Sequence, residues 1–318
     1  MLRAKGFKKG INLGGWMSQC DYSEDTLNSF ITEEDFARIA SWGFDHVRIP
    51  VDYNILQNED GGIKGDGFER IDRALSLCRK YGLKTVLDLH KTAGFSFDEG
   101  ETESGFFDEG GQRYHELFYS LWEEFAKRYG SDTDNTVFEL LNEVTDHEYI
   151  TAWNRISREC IRRIRVYAPE TVILVGSYWN NAAETVEYLD APYDSNIVYN
   201  FHCYEPLEFT HQGATWTERI DPAKRVPFAD SGSSEEYFER LFSSAIEKAR
   251  AEGTSLYCGE YGVIDIASAE DSLSWFRTIH AVFEKYGIAR SVWSYKGMSF
   301  GIADSKYDGI RDELLKYL

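Results

Sequence analysis

Glu143 and Glu260 are the residues of this chain best suited to do chemistry. Each stands at the close of an apolar, strand-like run, Thr136–Glu143 and Leu256–Tyr261, and the two are far apart in sequence. A pair of carboxyl groups facing across a pocket can cleave an acetal. One must be protonated, to donate to the leaving oxygen; the other must be ionised, to attack carbon or to activate water. Direct attack, with retained configuration, needs carboxyls about 5–5.5 Å apart, and activation of water needs about 6.5–9.5 Å. The surroundings must therefore drive two like groups to different charge states. Arg48 and Tyr204 stand at or near the ends of two further runs, His46–Val51 and Ile197–Tyr204. They suit Glu260, since a cation and a phenol both favour an anion. Glu143 would then keep its proton through desolvation and the nearby negative charge.

Other strand ends carry polar or aromatic groups too. His90 follows Asp88-Leu, Asn142 precedes Glu143, His202 sits between Asn200 and Tyr204, and Trp293 lies near the end of the last run. Polar residues placed by chance would scatter along strands instead of gathering at one end. Each also has a plainer reading: His90 and His202 as satisfied core histidines, Asn142 as a helix cap, and Tyr204 and Trp293 as packing residues. Trp16, Trp179 and Trp216 fall in or near loops at the same end. They read equally as sugar platforms and as packing residues. Asn180, next to Trp179, reads equally as a binder of a distal hydroxyl and as a bystander. His115, His147 and His280 fall in helical stretches and suit packing or surface roles. The acidic run from Asp98 to Glu103 lacks calcium-loop spacing and reads as a solvated loop.

What must position these residues is legible in the rhythm of the chain. Eight nearly continuous apolar runs recur: Phe7–Leu13, His46–Val51, Lys84–His90, Thr136–Glu143, Thr171–Ser177, Ile197–Tyr204, Leu256–Tyr261 and Arg290–Tyr295. Continuous rather than alternating runs mark strands covered on both faces. Helical patterns fall between them. One runs from Thr32, a helix cap with Asp35 three residues on, to Trp42; another ends at Gly82. Further ones are Gln112–Tyr129, Glu148–Tyr167, Asn181–Leu189, Ser234–Ala251, Ala269–Tyr286 and Lys306–Leu318. Eight strands alternating with eight helices predict a single (β/α)₈ barrel over residues 1–318. Long loops follow strands two, three and six, at Asp52–Gly65, Lys91–Gly111 and Glu205–Gly232, and the last predicts a small cap at 205–232. In such a barrel these loops and strand ends share the face where active sites assemble.

Composition narrows the partners. The chain of 318 residues has 34 Lys plus Arg against 54 Asp plus Glu, a formal net charge of −20. That balance argues against nucleic acid and anionic membranes, which are bound through basic residues. There is no apolar run of membrane-spanning length and no signal-peptide pattern at the start, so the expected location is either cytoplasmic or secreted with a leader removed. The cysteines, Cys20, Cys78, Cys160, Cys203 and Cys258, are scattered and form neither a disulfide framework nor a zinc motif. No phosphate-binding loop, serine-hydrolase elbow or zinc-protease motif occurs.

The set Arg48, His90, Asn142-Glu143, His202 with Tyr204, Glu260 and Trp293, in this order and at these strand ends, resembles glycoside hydrolase family 5. The likeness runs over nearly the whole chain, from GINLGGW to SVWSYKG. The phrases GINLGGW, FDHVRIP, FELLNE, VYNFHCYEP and YCGEYGV are most similar to the bacterial cellulase C type of family 5 endoglucanases. The resemblance implies that Glu143 is the general acid/base and Glu260 the nucleophile. It further implies that Arg48 and Tyr204 orient Glu260 and that Asn142 contacts a sugar 2-hydroxyl. By the same likeness His90 and His202 line the subsite of the cleaved sugar, and Trp293 is its stacking floor. Val144 stands where many members have proline. The stretch after strand six is shorter than the subdomain of the cellulase C type, and the GINLGGW start is similar to exo-1,3-glucanases as well.

The expectation is thus a retaining endo-β-1,4-glucanase, monomeric, without metal or cofactor, whose partner is a β-glucan chain or its oligosaccharides. Mixed-linkage glucanase, β-mannanase, xyloglucanase and exo-β-1,3-glucanase activities would use the same catalytic residues. A non-catalytic carbohydrate-binding barrel is the remaining alternative close to it. An aldolase or isomerase would call for a Schiff-base lysine or a metal cluster, and only Lys91 and Lys296 stand at the mouth.

Overall fold

Successive side chains of a strand point to opposite faces, and this chain uses that alternation to build a core in rungs. Val86, Val137 and Val198 join Phe7, Val172, Leu174, Tyr257 and Ala289 in one apolar cluster. Two residues further along the same strands stand Asp88, Glu139 and Asn200, and beyond these His90 and His202, all buried. His46 belongs to the first rung, bonding Tyr257 at 2.8 Å, and Arg48 to the second. The inward residues thus turn from apolar to ionisable as the strands rise.

The computed structural model describes residues 6–98 and 105–318. Its strands are β1 (Lys9–Asn12), β2 (His46–Asp52), β3 (Lys84–Lys91), β4 (Thr136–Glu139), β5 (Ile173–Gly176), β6 (Ile197–Cys203), β7 (Leu256–Tyr261) and β8 (Ala289–Val292). All pair in parallel, in sequence order, and β8 closes onto β1. This is the (β/α)₈ barrel that the rhythm of the sequence predicts. Outward-facing Val47, Ile49, Leu87 and Leu89 pack with apolar residues of the surrounding helices in one large cluster. Those helices include Glu33–Ser41, Gly65–Tyr81, Gln112–Tyr129, Ile150–Tyr167 and Ala269–Tyr286. No helix among the described residues is long and apolar enough to cross a membrane. All five cysteines are free, and all but Cys20 are buried, as small apolar groups.

Several expected elements come out differently. The helix expected over Ser234–Ala251 is two, Glu235–Leu241 and Ser243–Ala251, broken at Phe242. The Phe242 ring is buried against Phe201 and Phe283, so packing fixes the bend. The stretch 181–189 forms only a 3₁₀ turn, Ala183–Tyr188, and the expected last helix shrinks to a 3₁₀ turn and Arg311–Leu314 around Gly309. A short helix, Glu24–Ser29, was not expected from the pattern; it holds one buried residue, Leu27, too little for a visible period. Strand β4 ends four residues before Glu143, for a reason that belongs to the site. After β6, the segment 205–232 holds a single-turn helix, Leu207–Thr210, and a 3₁₀ turn, Phe228–Asp230.

Candidate active site

Glu143 and Glu260 meet at the C-terminal mouth of the barrel, in a cleft of about 730 Å³. One ligand atom from each, with one from His202, all lie within 4.8 Å of one another. The two carboxyls reach this spacing by different routes. Beyond Glu139 the chain leaves the β4 ladder, though Asn142 N–H still bonds the Leu89 carbonyl at 3.1 Å. Glu143 itself has φ 31°, left-handed backbone that costs a non-glycine residue about 1–3 kcal/mol and persists only where the surroundings enforce it. Glu260 arrives on β7 through a bulge: Phe201 pairs with Cys258, but His202 pairs with Glu260, skipping Gly259. A Cβ at Gly259 would lie 2.8 Å from Asn200 Oδ1 and 3.0 Å from His202 Nε2. Only glycine lets β7 pass this close.

The environments of the two carboxyls differ in kind. Glu260 accepts from the Arg48 guanidinium at 2.7 Å and from the Tyr204 hydroxyl at 2.8 Å. The first brings a fixed positive charge directly onto this carboxyl. Among the described residues, no lysine or arginine contacts Glu143. It meets His202 Nδ1 at 2.8 Å and accepts from the Asn180 amide at 3.1 Å. Burial pushes the Glu143 carboxyl up to about 7. Burial also lowers His202 and His90 to about 4, so both rings are neutral near pH 7. The same cleft therefore holds one carboxyl fixed by a guanidinium and one that keeps its proton to near-neutral pH.

The family model for the cellulases, glycosyl hydrolase family 5, matches residues 5–299. The chain belongs to glycoside hydrolase family 5. As a family 5 enzyme it is a glycoside hydrolase, and its partner is a carbohydrate. It is 66% identical over 290 residues to Cellodextrinase A of Ruminococcus flavefaciens, covering 91% of this chain and 86% of that one. It is 37% identical to Endoglucanase C of Acetivibrio thermocellus, covering 98% of each. Among solved structures, Cel5A of Thermotoga maritima in complex with a mannotriose substrate superposes with a TM-score of 0.83. That match is at 25% identity and covers 99% of this chain and 98% of that one.

In this family 5 hydrolase, Arg48 is the centre of the polar rung below the cleft. It donates to both oxygens of Glu139 at 2.7 and 2.8 Å, to Asn142 at 2.9 Å and to Asn12 at 2.9 Å, and pairs with Asp88 at 3.0 Å. One guanidinium facing Asp88, Glu139 and Glu260 cannot balance three full charges in a dry interior. Burial accordingly lifts Asp88 to about 7 and raises Glu139. Asp88 also holds His90 Nδ1 at 2.5 Å, and the His90 ring lies parallel to Trp293 with centroids 5.8 Å apart. Trp293 lines the cleft beside Gly14, where a Cβ would come within 2.7 Å of the indole. Asn142 Nδ2 is buried with no partner among the described residues, an expensive state that a ligand hydroxyl would relieve.

The cleft brings together His90, Trp293, Trp179, Asn180, Trp216, His202 and Tyr204 with the two glutamates. Asn180 touches Glu143 because Trp179, Asn180 and Asn181 are all left-handed, with φ of 56°, 54° and 56°. Trp16 is the exception and the expectation of a sugar platform there is corrected. Its ring is buried edge-on against Phe36, and its indole N–H is spent on the Leu27 carbonyl at 3.0 Å. The helix that the sequence pattern misses, Glu24–Ser29, is what covers it. Lys91 and Lys296, the lysines open to a Schiff-base reading, are ion-paired with Asp98 and Asp35 respectively. Asp98 begins the expected acidic loop; Glu99, Glu101 and Glu103 lie outside the described residues.

Sequence reasoning passed over Glu139, Asn12 and Glu205. Glu139 is wholly buried, in two bonds with Arg48, and takes a third from Asn200 at 2.8 Å. Asn12 ties β1 to the Gly259 carbonyl at 3.0 Å and the Ser291 carbonyl at 3.1 Å. The available signal was an ionisable or amide residue inside an otherwise apolar run, spaced by two from the next inward residue. Glu143, His202 and Glu260 are also close enough to share a cation. The Arg48 guanidinium supplies positive charge at Glu260, and His202 bonds Glu143.

Proposed function

We propose that this hydrolase cleaves β-1,4-linked glucan chains, cellodextrins among them, by double displacement with retention. Glu260 attacks the anomeric carbon while Glu143 protonates the departing oxygen. The glycosyl-enzyme ester at Glu260 is then hydrolysed by water that Glu143, now ionised, deprotonates. One observation carries the reading: an oxygen of each carboxyl within 4.8 Å, in unlike surroundings. Oxygens this close suit a pair set about 5–5.5 Å apart for direct attack better than one set about 6.5–9.5 Å apart around a water. Asn142 Nδ2 would bond the sugar 2-hydroxyl, and Trp293 beside His90 would carry the apolar face of the cleaved sugar. The preference for β-1,4-glucan rests on the two relatives named for cellodextrin and glucan cleavage.

Proton NMR of early cellotetraose products tests the mechanism. The new reducing end should appear as the β anomer before mutarotation; α anomer first would overturn the double displacement. Product sizing on cellulose, mixed-linkage glucan, 1,3-glucan, xyloglucan and mannan tests the substrate, with the β-1,4-glucans expected to be turned over fastest. A faster rate on mannan would move the reading to that polymer.

The proton on Glu143 sets a pH dependence. Burial raises this carboxyl from the ordinary glutamate value to about 7. A group that acts when protonated loses its effect as pH rises through its pKa. For cellodextrins, kcat/KM should therefore fall about tenfold per pH unit above about 7. An alkaline limb already complete at pH 5 would remove Glu143 as the donor.

A further inference from the structure

The cleft has a wall that the reaction as described does not use. A proton donor stands on the side of the departing sugar, so the leaving group lies beyond Glu143. Asn180 holds Glu143 there, and the chain runs on from Trp179 through Ala182, which bridges to His202 on β6. Just past β6 comes Glu205, and further along Trp216 and Arg219; all line the same cleft. His90 and Trp293, stacked together, line the cleft as well.

Glu205 is unusual on this wall. Its carboxylate is largely buried, and the hydrogen bonding it receives is from backbone N–H groups, that of Tyr204 at 3.1 Å to one oxygen. Burial and the charge of Glu184 push it up to about 7. A largely buried acid with spare lone pairs is costly unless something completes it. The cleft it lines offers a definite chemistry. Trp179 and Trp216 are 54% and 51% exposed, among the largest apolar surfaces the protein leaves to solvent, and both border the cleft. Exposed indoles lining one cleft with a carboxylate and the Arg219 guanidinium match a pyranose, whose faces are apolar and whose rim is hydroxyl.

We propose that Glu205 is a specificity-determining residue that accepts hydrogen bonds from hydroxyls of the leaving-group sugar, so that this wall selects a glycan as the departing group. The inference rests on the proposed cleavage by Glu143 and Glu260. Glu205 is a binding residue and touches no reacting atom.

The test compares two substrates that share the glycone and differ in the leaving group: cellotetraose and 4-nitrophenyl β-cellobioside. Glu205→Gln keeps an oxygen for the Tyr204 N–H and removes the charge; Glu205→Ala removes both. In both variants kcat/KM for cellotetraose should fall about tenfold or more, the size of a lost bond to a charged group. Hydrolysis of the aryl cellobioside, which puts no sugar on this wall, should stay within about twofold. Equal losses on both substrates would mean that Glu205 acts through Tyr204 and Glu260, and would overturn the proposal. No loss on either in Glu205→Ala would overturn it too. Failure of the underlying reading looks different: the unsubstituted enzyme would then turn over neither substrate.

Discussion

Glu260→Ala is expected to abolish turnover of every substrate, aryl cellobiosides included. No leaving group, however good, replaces a missing nucleophile. The loss should be about 10⁵-fold or more, the order found when a covalent nucleophile is deleted from other hydrolases. That corresponds to roughly 7 kcal/mol of transition-state stabilisation. The protein should still fold. Arg48 would lose one carboxylate but keep its bonds to Glu139, Asn142 and Asn12 and its contact with Asp88. With Glu260 gone, the buried positive charge stays matched, and Asp88, held near 7 by burial in the intact site, has less negative charge to share its cation with. Kinetics on both substrate types with a thermal melt check this. A folded variant that keeps more than a hundredth of the parent rate would remove Glu260 as nucleophile.

How much of this was legible beforehand follows from where each residue sits in the rungs. The barrel was legible because strands buried on both faces read as unbroken apolar runs, and eight of them leave few alternatives. Glu143, Glu260, His90, His202 and Tyr204 were legible because they interrupt those runs at one end. Glu139 and Asp88 were harder. They lie one rung lower, inside the runs, where a charged residue looks like noise until Arg48 is seen to face it. The extent of β4 was misjudged for a local reason. Leu140 to Glu143 keep the strand-like sequence, but the left-handed backbone of Glu143 takes them out of the ladder. Asn180 and Asn181 are of a type that tolerates left-handed backbone, but nothing in the types of Glu143 and Trp179 announces their positive φ values, which their surroundings enforce. Trp16 shows the converse. Loop placement made it look available, and only a short helix without visible periodicity explains why it is sealed.

Glu143→Ala separates the acid role from everything else at the site, because its effect depends on the leaving group. A cellodextrin expels an alkoxide of high basicity unless it is protonated as the bond breaks. General acid catalysis of this kind contributes about 10²–10⁴-fold. Cellotetraose hydrolysis should fall by that factor, and its alkaline limb near pH 7 should vanish with the carboxyl that causes it. An activated aryl cellobioside needs little protonation to depart, so its first step should be nearly untouched. Its second step still needs a base to deprotonate water, and the glycosyl-enzyme should therefore accumulate. A burst of nitrophenol followed by slow turnover is the expected trace, and a small anion such as azide, which needs no deprotonation, should speed the slow phase. His202 and Asn180 cannot substitute: the histidine is neutral with its pKa lowered to about 4, and the amide carries no transferable proton. Equal losses on both substrates, without a burst, would leave Glu143 as a structural partner of His202 and return the proton donor to an unassigned group.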